Sequence, residues 1–124
     1  MFAIFGIHYN TRTMEINWNK ELNAAITVCD KEGIIIYMND RAVSDFIEYG
    51  GIKLIGTNVL DCHPEPSRIQ LENILRNEKT DIYTTTKEGI KKLVYQAPWY
   101  KNHKYMGIVE LSFEIPSDIK NIER

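Results

Sequence analysis

Three residues of this sequence, Asp61, His63 and Glu110, could act as a general base if a pocket adjusted their basicity. They fall in different predicted elements, and no paired acid, activated nucleophile or cofactor fingerprint accompanies them. A small proton-transfer enzyme is therefore only a minor alternative, and the chain is predicted not to be an enzyme.

Metal and disulfide chemistry has equally little support. Cys62 and His63 are neighbours, but Cys29 lies 33 positions before Cys62, and His8 and His103 are scattered. A structural zinc site needs three or four closely spaced ligands, so no metal is predicted. Two cysteines without a CxxC spacing or an export signal indicate reduced thiols in a cytoplasmic protein.

A basic and aromatic segment near the end of the chain could contact single-stranded nucleic acid. It contains Lys91, Lys92, Lys101 and Lys104 together with Tyr95, Trp99 and Tyr100. The chain has 15 Lys and Arg against 17 Asp and Glu, which gives a net charge of -2. Lysines also protect edge strands from unwanted pairing, so no nucleic-acid partner is predicted.

Length and composition indicate one globular domain. The chain has 124 residues, of which 44% are hydrophobic and 26% charged, enough for one core without metals or disulfides. No apolar run approaches the ~20 residues of a membrane span, so no membrane partner is predicted. The short apolar start lacks the basic flank of a signal peptide.

Apolar periodicity predicts the elements that must position these residues. Met14, Trp18 and Leu22 recur every four residues, which indicates an N-terminal helix. Asn39-Asp40 is expected to cap a short helix that ends at Gly50-Gly51. A hairpin is predicted at 25–38, a clearer helix from 66, and strands at 80–86, 90–100 and 105–115. This order predicts an α+β fold, a five-stranded antiparallel sheet with short helices over one face plus the N-terminal helix.

Three stretches in this order resemble the PAS domain family. CDKEGIIIYMN is similar to the family's first hairpin, IGTNVLDCHPEPSR to the signature that opens its long helix, and YMGIVELSFEIPSDI to its final strand. The resemblance covers about residues 23–118. It divides the chain into an N-terminal extension at 1–22, a PAS domain at 23–116 and a C-terminal tail at 117–124.

The resemblance implies a small cavity between the helices and the inner face of the sheet, with a second subunit or an N-terminal helix on the outer face. The implied cavity residues are Thr27, Cys29, Tyr37, Phe46, Val94, Gln96, Ile108 and Glu110. The implied dimer face comprises Met14, Trp18, Leu22, Ile26, Val28, Val109, Leu111 and Phe113. An exposed apolar face normally needs a cover, so a homodimer is predicted.

Alternation along the last strand does not indicate which of its faces is exposed to solvent. In the cavity, Glu110 would need a ligand or a hydrogen-bond donor, for which Gln96 is a plausible companion, to offset its desolvation. The favoured interpretation is instead that Glu110, Ser112 and Glu114 form a solvated strand face.

No cofactor is predicted. The resemblance gives His63 a structural position at the entrance of a helix, so a capping or surface histidine is favoured over a haem ligand. Flavin-binding light sensors resemble an Asn-Cys-Arg-Phe-Leu-Gln block, and nothing like it follows Asp40.

The resemblance implies a sensory or signal-transduction domain, a small regulator of bacterial type. It would bind a small ligand or a separate effector protein and act through rearrangement of a homodimer. The alternative is a ligand-free dimerisation scaffold whose cavity is filled by Tyr37, Phe46 and Met106.

Overall fold

The computed structural model describes residues 16–63 and 65–124. Its strands are β1 (Ala25–Asp30), β2 (Ile35–Met38), β3 (Asp81–Lys87), β4 (Ile90–Lys101) and β5 (Lys104–Glu114), and its helices are α1 (Asp40–Asp45) and α2 (Ser67–Asn77). Three 3-10 turns, Ile47–Tyr49, Gly51–Leu54 and Val59–Cys62, connect the two helices. The strands form one antiparallel sheet in the order β2-β1-β5-β4-β3, which confirms the predicted α+β architecture.

The predicted N-terminal helix falls mostly outside the described residues, and Met14 lies outside them. Where the chain is described, residues 18–21 form a turn rather than a helix. The turn is held by the protein core, because the carbonyl of Asn19 accepts a hydrogen bond from the side chain of Asn39 at 2.9 Å and that of Lys20 accepts one from the amide of Asp40 at 3.0 Å. A spacing of four over so short a segment does not overcome helix nucleation.

The β1–β2 hairpin closes as its sequence predicts. The Asp30 carboxylate accepts hydrogen bonds from the amides of Glu32 and Ile34 at 3.0 and 2.9 Å, an Asx-type turn. Gly33 adopts a φ of +91°, which a residue with a Cβ would adopt only with strain. The hairpin therefore places β1 in the sheet between β2 and β5.

Asn39 connects the hairpin to α1 and is 1% exposed. Its Oδ1 accepts from the amides of Ile26 and Ala42 at 2.9 and 3.0 Å, and its Nδ2 donates to the carbonyls of Asn19 and Ala24 at 2.9 and 2.8 Å. The bond from Ala42 confirms Asn39 as the predicted helix cap. One buried side chain thus fixes the start of β1, the turn at 18–21 and the first turn of α1.

Two apolar clusters join the inner face of the sheet to the helices. One consists of Cys29 and Ile108 with Leu71, Ile74 and Leu75 of α2. The other consists of Ala25, Ile35, Met38 and Ala42. Ala25 and Cys29 flank Thr27 on β1, so the helices pack at the two ends of this face and not at the position between them.

Three further contacts fix the beginning of β5 and the neighbouring part of β4. Gly107 has a φ of +145°, and a Cβ built there would lie 2.0 Å from the carbonyl oxygen of Cys29. The Trp99 indole donates to that same carbonyl at 3.1 Å. The Tyr105 hydroxyl donates to the carbonyl of Leu75 in α2 at 2.7 Å, so β5 is tied both to β1 and to the helical layer.

Candidate functional site

A cavity of about 450 Å³ lies between the inner face of the sheet and the helical segments. It occupies the space between the two apolar clusters. Its apolar lining is formed by Cys29, Ile35, Met38, Phe46, Leu54, Val59, Leu71 and Ile108, and its polar lining by Thr27, Tyr49, His63, Gln96 and Glu110. A largely apolar pocket of this size with a few polar groups is typical of small-molecule sites.

A row of four polar side chains crosses the inner face of the sheet. Thr27 on β1 lies opposite Glu110 on β5, and Glu110 lies opposite Gln96 on β4. Asp81 on β3 lies opposite Gln96 in turn. Residues directly opposite one another point to the same face of a sheet, so the row contains two carboxylates with Gln96 between them.

Glu110 and Gln96 form a direct hydrogen bond. Gln96 Nε2 donates to Glu110 Oε2 at 2.7 Å, and Gln96 is 5% exposed. The companion expected for Glu110 from the sequence is therefore present, and the favoured interpretation of Glu110 as part of a solvated face is wrong. That interpretation does describe Glu114, which is exposed on the same strand face and pairs with Arg41 at 3.4 Å, because β5 runs out to the edge of the helical layer.

The electrostatic environment of the cavity is negative. None of the described residues that line it is a lysine or an arginine. Burial raises the pKa of the Cys29 thiol, and the carboxylates of Asp30 and Glu110 raise it further. Burial also raises the pKa of Tyr83, with further contributions from Glu110 and Asp81. Cys29 therefore contributes a neutral thiol to the wall rather than a nucleophilic thiolate.

His63 stands in the wall between this cavity and a second space of about 340 Å³. Leu71 and Gln96 line both spaces as well, and Asp81 lines the second. His63 Nδ1 lies 2.6 Å from the carbonyl oxygen of Val59; because a carbonyl only accepts, Nδ1 carries the proton. His63 ends the 3-10 turn Val59–Cys62, whereas Pro66 holds the N-cap position of α2. His63 therefore lies before the helix entrance, in the cavity wall, and does not cap α2.

Within residues 16–63 and 65–124, no group of three or more His, Cys, Asp or Glu is arranged to hold a metal ion. Asp61, the third residue considered as a general base, is exposed and is not part of the cavity wall. Only His63 and Glu110 of the three are brought to the same cavity.

Six of the residues implied for the cavity do line it: Thr27, Cys29, Phe46, Gln96, Ile108 and Glu110. Val94 is buried on the same face of β4, opposite Ser112, but does not reach the lining. The placement of Tyr37 in the cavity is wrong. The β1–β2 register shifts between Val28 and Cys29, which puts Tyr37 opposite Val28 on the outer face, where its hydroxyl accepts from Asn19 Nδ2 at 2.9 Å.

Several lining residues were missed from the sequence. Leu54, Val59 and His63 come from the irregular stretch between α1 and α2, where no periodicity shows which side chains turn inward. Ile35 and Met38 belong to β2 and pair with Cys29 and Thr27. Alternation across the hairpin would have found only one of those two, because the register shift between Val28 and Cys29 is what brings both of them to the cavity face.

The outer face of the sheet carries the apolar residues implied for a dimer. Ile26 lies opposite Leu111, and Val28 lies opposite Val109. At the margins of this outer apolar face, Phe113 is 38% exposed. Trp18 and Leu22 in the preceding segment are 66% and 40% exposed. The described residues of the predicted N-terminal stripe, the apolar spacing of Met14, Trp18 and Leu22, are therefore accessible rather than buried.

The basic and aromatic segment is partly occupied by internal contacts. Trp99 is bonded to the Cys29 carbonyl, and Lys92 lies 3.4 Å from the Asp45 carboxylate. Neither α1 nor α2, the helices of the described ranges, has the length and apolarity needed to cross a membrane.

No protein-family model and no curated protein matches the chain. Solved structures do match it. The PAS domain of BvgS from Bordetella pertussis aligns at 16% identity and a TM-score of 0.61, over 79% of this chain and 81% of that one. The Aer2 receptor of Vibrio cholerae, described as a dual PAS-heme oxygen sensor, aligns at 19% identity and a TM-score of 0.55, over 75% and 95%.

A third similar structure is the PAS domain of the histidine kinase ThkA, at 18% identity and a TM-score of 0.58 over 74% of this chain and 99% of that one. The agreement extends over most of both chains in each case. The chain therefore has the PAS fold.

Proposed function

We propose that this chain is a PAS-type sensory domain that binds a small ligand in the cavity and passes the binding event to a homodimer interface on the outer face of the sheet. The observation that carries the proposal is the cavity of about 450 Å³, whose apolar wall encloses the hydrogen-bonded Glu110–Gln96 pair. Proteins of similar fold that are described as an oxygen-sensing receptor and as a histidine kinase support the same function class.

The sheet itself supplies the route from cavity to surface. Successive side chains of a strand point to opposite faces. On β5, Glu110 lines the cavity while Val109 and Leu111 lie on the outer apolar face. A ligand that moves the Glu110 backbone must therefore move both neighbours. In this mechanism, the ligand shifts a population between two arrangements of the strand rather than creating a new one.

Homodimer formation is the second part of the proposal. Part of the outer apolar face is accessible, because Phe113 and, in the segment before β1, Trp18 are exposed, although Ile26 is only 5% exposed. Accessible apolar surface of this kind usually marks an interaction site. Val109→Asp or Leu111→Lys would place a charge in the middle of that interface. We expect either variant to elute as a monomer in size-exclusion chromatography with light scattering, whereas Thr85→Asp on the exposed edge strand β3 should leave the dimer intact. A wild-type monomer, or a folded variant that remains dimeric, would refute this part.

A ligand-free dimerisation scaffold is the alternative. This alternative predicts a cavity filled by Tyr37, Phe46 and Met106, yet of these only Phe46 lines the cavity. Catalysis has less support still, because Asp61 lies away from the cavity. The proposal is thus a binding protein, not an enzyme. The proposal also includes a separate effector protein that receives the signal. It includes a cytoplasmic location, which the free thiol of Cys29 suggests.

Native mass spectrometry of protein purified without reconstitution tests the ligand and the subunit count together. A dimer that loses a discrete mass on denaturation would establish a bound ligand and give its mass. As a second step, cell extract is added back to the purified protein before the measurement. If the dimer still has the mass of two polypeptide chains and no ligand, the result would favour the scaffold over the sensor.

A further inference from the structure

The hydrogen-bond polarity of the cavity indicates what kind of ligand it accepts. Gln96 Nε2 donates to the Glu110 carboxylate, and because a carboxylate only accepts, this bond also fixes which end of the Gln96 amide faces Glu110. On this pair, the oxygens left for a ligand are both acceptors, the second carboxylate oxygen of Glu110 and the amide oxygen of Gln96; the remaining donors of the lining are the second Nε2 hydrogen of Gln96 and the hydroxyls of Thr27 and Tyr49. Neither oxygen accepts a hydrogen bond from a described residue, and since no buried side-chain oxygen of those residues lacks a partner, both oxygens are accessible from the cavity.

The charge of the cavity points in the same direction. No lysine or arginine of the described chain lines it, and Asp81, the next residue along the polar row, adds a second carboxylate beside Gln96 in the adjoining space. The backbone positions that carry the two carboxylates are two strand spacings, about 10 Å, apart. A carboxylate removed from water without a cation is costly, and a cationic partner that donates hydrogen bonds offsets that cost.

The size of the cavity limits the size of the ligand. A volume of about 450 Å³ would hold on the order of 15 water molecules at roughly 30 Å³ each. A ligand of about ten to fifteen non-hydrogen atoms therefore fits. Side chains such as Phe46, Met38 and Ile108 line most of the wall, so its body must be apolar.

We infer that the ligand is a small organic amine, an apolar body with one protonated nitrogen, whose N–H groups donate to Glu110 and to the amide oxygen of Gln96. The inference rests on the proposed function, because it names the ligand class of the same cavity. It argues against carboxylate ligands, for which the described wall offers repulsion from Glu110 and no lysine or arginine.

Three probes of one shape test this inference: 4-phenylbutylamine, 4-phenylbutanol and 4-phenylbutyrate. Each is titrated into ¹⁵N-labelled full chain while the backbone amide signals of Thr27, Gln96 and Ile108 are followed by NMR. The amine should bind most tightly and the carboxylate most weakly. Glu110→Gln should weaken the amine by about 10- to 100-fold, the usual effect of losing a hydrogen bond to a charged group. It should leave the alcohol within about threefold.

Glu114→Gln is the matched control, because it makes the same change on the same strand at an exposed position outside the cavity. It should leave all three affinities unchanged. If the alcohol or the carboxylate binds at least as well as the amine, or if Glu110→Gln leaves the amine affinity intact, the ligand class is wrong while the cavity remains a binding site. If none of the probes moves the cavity signals at millimolar concentration, both the ligand class and the proposed binding function are refuted.

Discussion

Replacing Asn39 by alanine should destabilise this domain more than any other single change in a polar side chain. Asn39 is 1% exposed and makes four hydrogen bonds to backbone groups. Alanine removes all four at once. It leaves the amide of Ile26 and the carbonyl of Ala24 without their partner next to a packed core.

The magnitude follows from those bonds. Loss of a helix cap costs about 1 kcal/mol, and an unpaired buried amide costs about 1–3 kcal/mol. The two carbonyls lose hydrogen bonds of about 0.5–1.5 kcal/mol each. We expect the free energy of unfolding to fall by about 3–7 kcal/mol, a large part of the ~5–15 kcal/mol of a typical domain. The midpoint of thermal unfolding should fall by about 12–28 °C, at about 4 °C per kcal/mol.

Equilibrium unfolding in urea, followed by far-UV circular dichroism, measures this change, provided that the denaturant slope stays constant. Asn58→Ala is the matched control. Asn58 also caps a turn, accepting from the amide of Leu60 at 2.9 Å, but its other bond, to the carbonyl of Glu32, is exposed. The control should lose about 1 kcal/mol. If Asn39→Ala is no less stable than Asn58→Ala, the central position assigned to Asn39 is wrong.

Three further predictions concern the strands and the cavity wall. Gly107→Ala should cost about 3 kcal/mol or more in urea unfolding, because its Cβ would meet the Cys29 carbonyl, whereas Gly89→Ala, with no atom within 4 Å, should cost about 1 kcal/mol; equal costs would contradict the close approach. Burial raises the pKa of Tyr105 to about 12, so the stability that its neutral hydroxyl contributes is complete below pH 10 and is lost as the pH rises through about 12. Tyr105→Phe should be less stable by about 1 kcal/mol at pH 8, and the wild type should lose this advantage over that alkaline range; a constant difference would count against the bond. In a Cys62→Ser background, Cys29 should react with iodoacetamide at least about tenfold more slowly than glutathione at pH 8, because its thiol is buried and its pKa is raised; a rate equal to that of glutathione would show that the wall is open.

Much of the fold could be predicted because the elements carry strong local patterns. The hairpin has a turn of Asp30 and Gly33 between two apolar strands, and β5 alternates between apolar and polar residues over its second half. The N-terminal stripe was a weaker pattern, and the described turn at 18–21 follows contacts with Asn39 and Asp40 instead. Tertiary hydrogen bonds overrode a helical periodicity that rested on only three apolar residues.

The candidate site was predicted only in part, for a reason that lies in sheet geometry. A one-residue shift in strand register moves a side chain to the other face, and the shift between Val28 and Cys29 placed Tyr37 outside the cavity. The face of the sheet on which Glu110 lies could not be predicted for a related reason, because alternation defines two faces without indicating which one the helices cover. The side chains from the stretch between the helices, such as Val59 and His63, had no pattern at all to indicate their direction.

By itself, the sequence determined the order of the elements, the caps and turns that separate them, and the two faces of each strand, because these depend on interactions between residues close in the chain. Only the tertiary structure decided which face became the cavity, that Glu110 and Gln96 share a hydrogen bond across β5 and β4, and that His63 and Asp81 stand beside them. Those relations join residues from distant parts of the chain. They depend on how the helices pack over the sheet, which no local pattern of residues specifies.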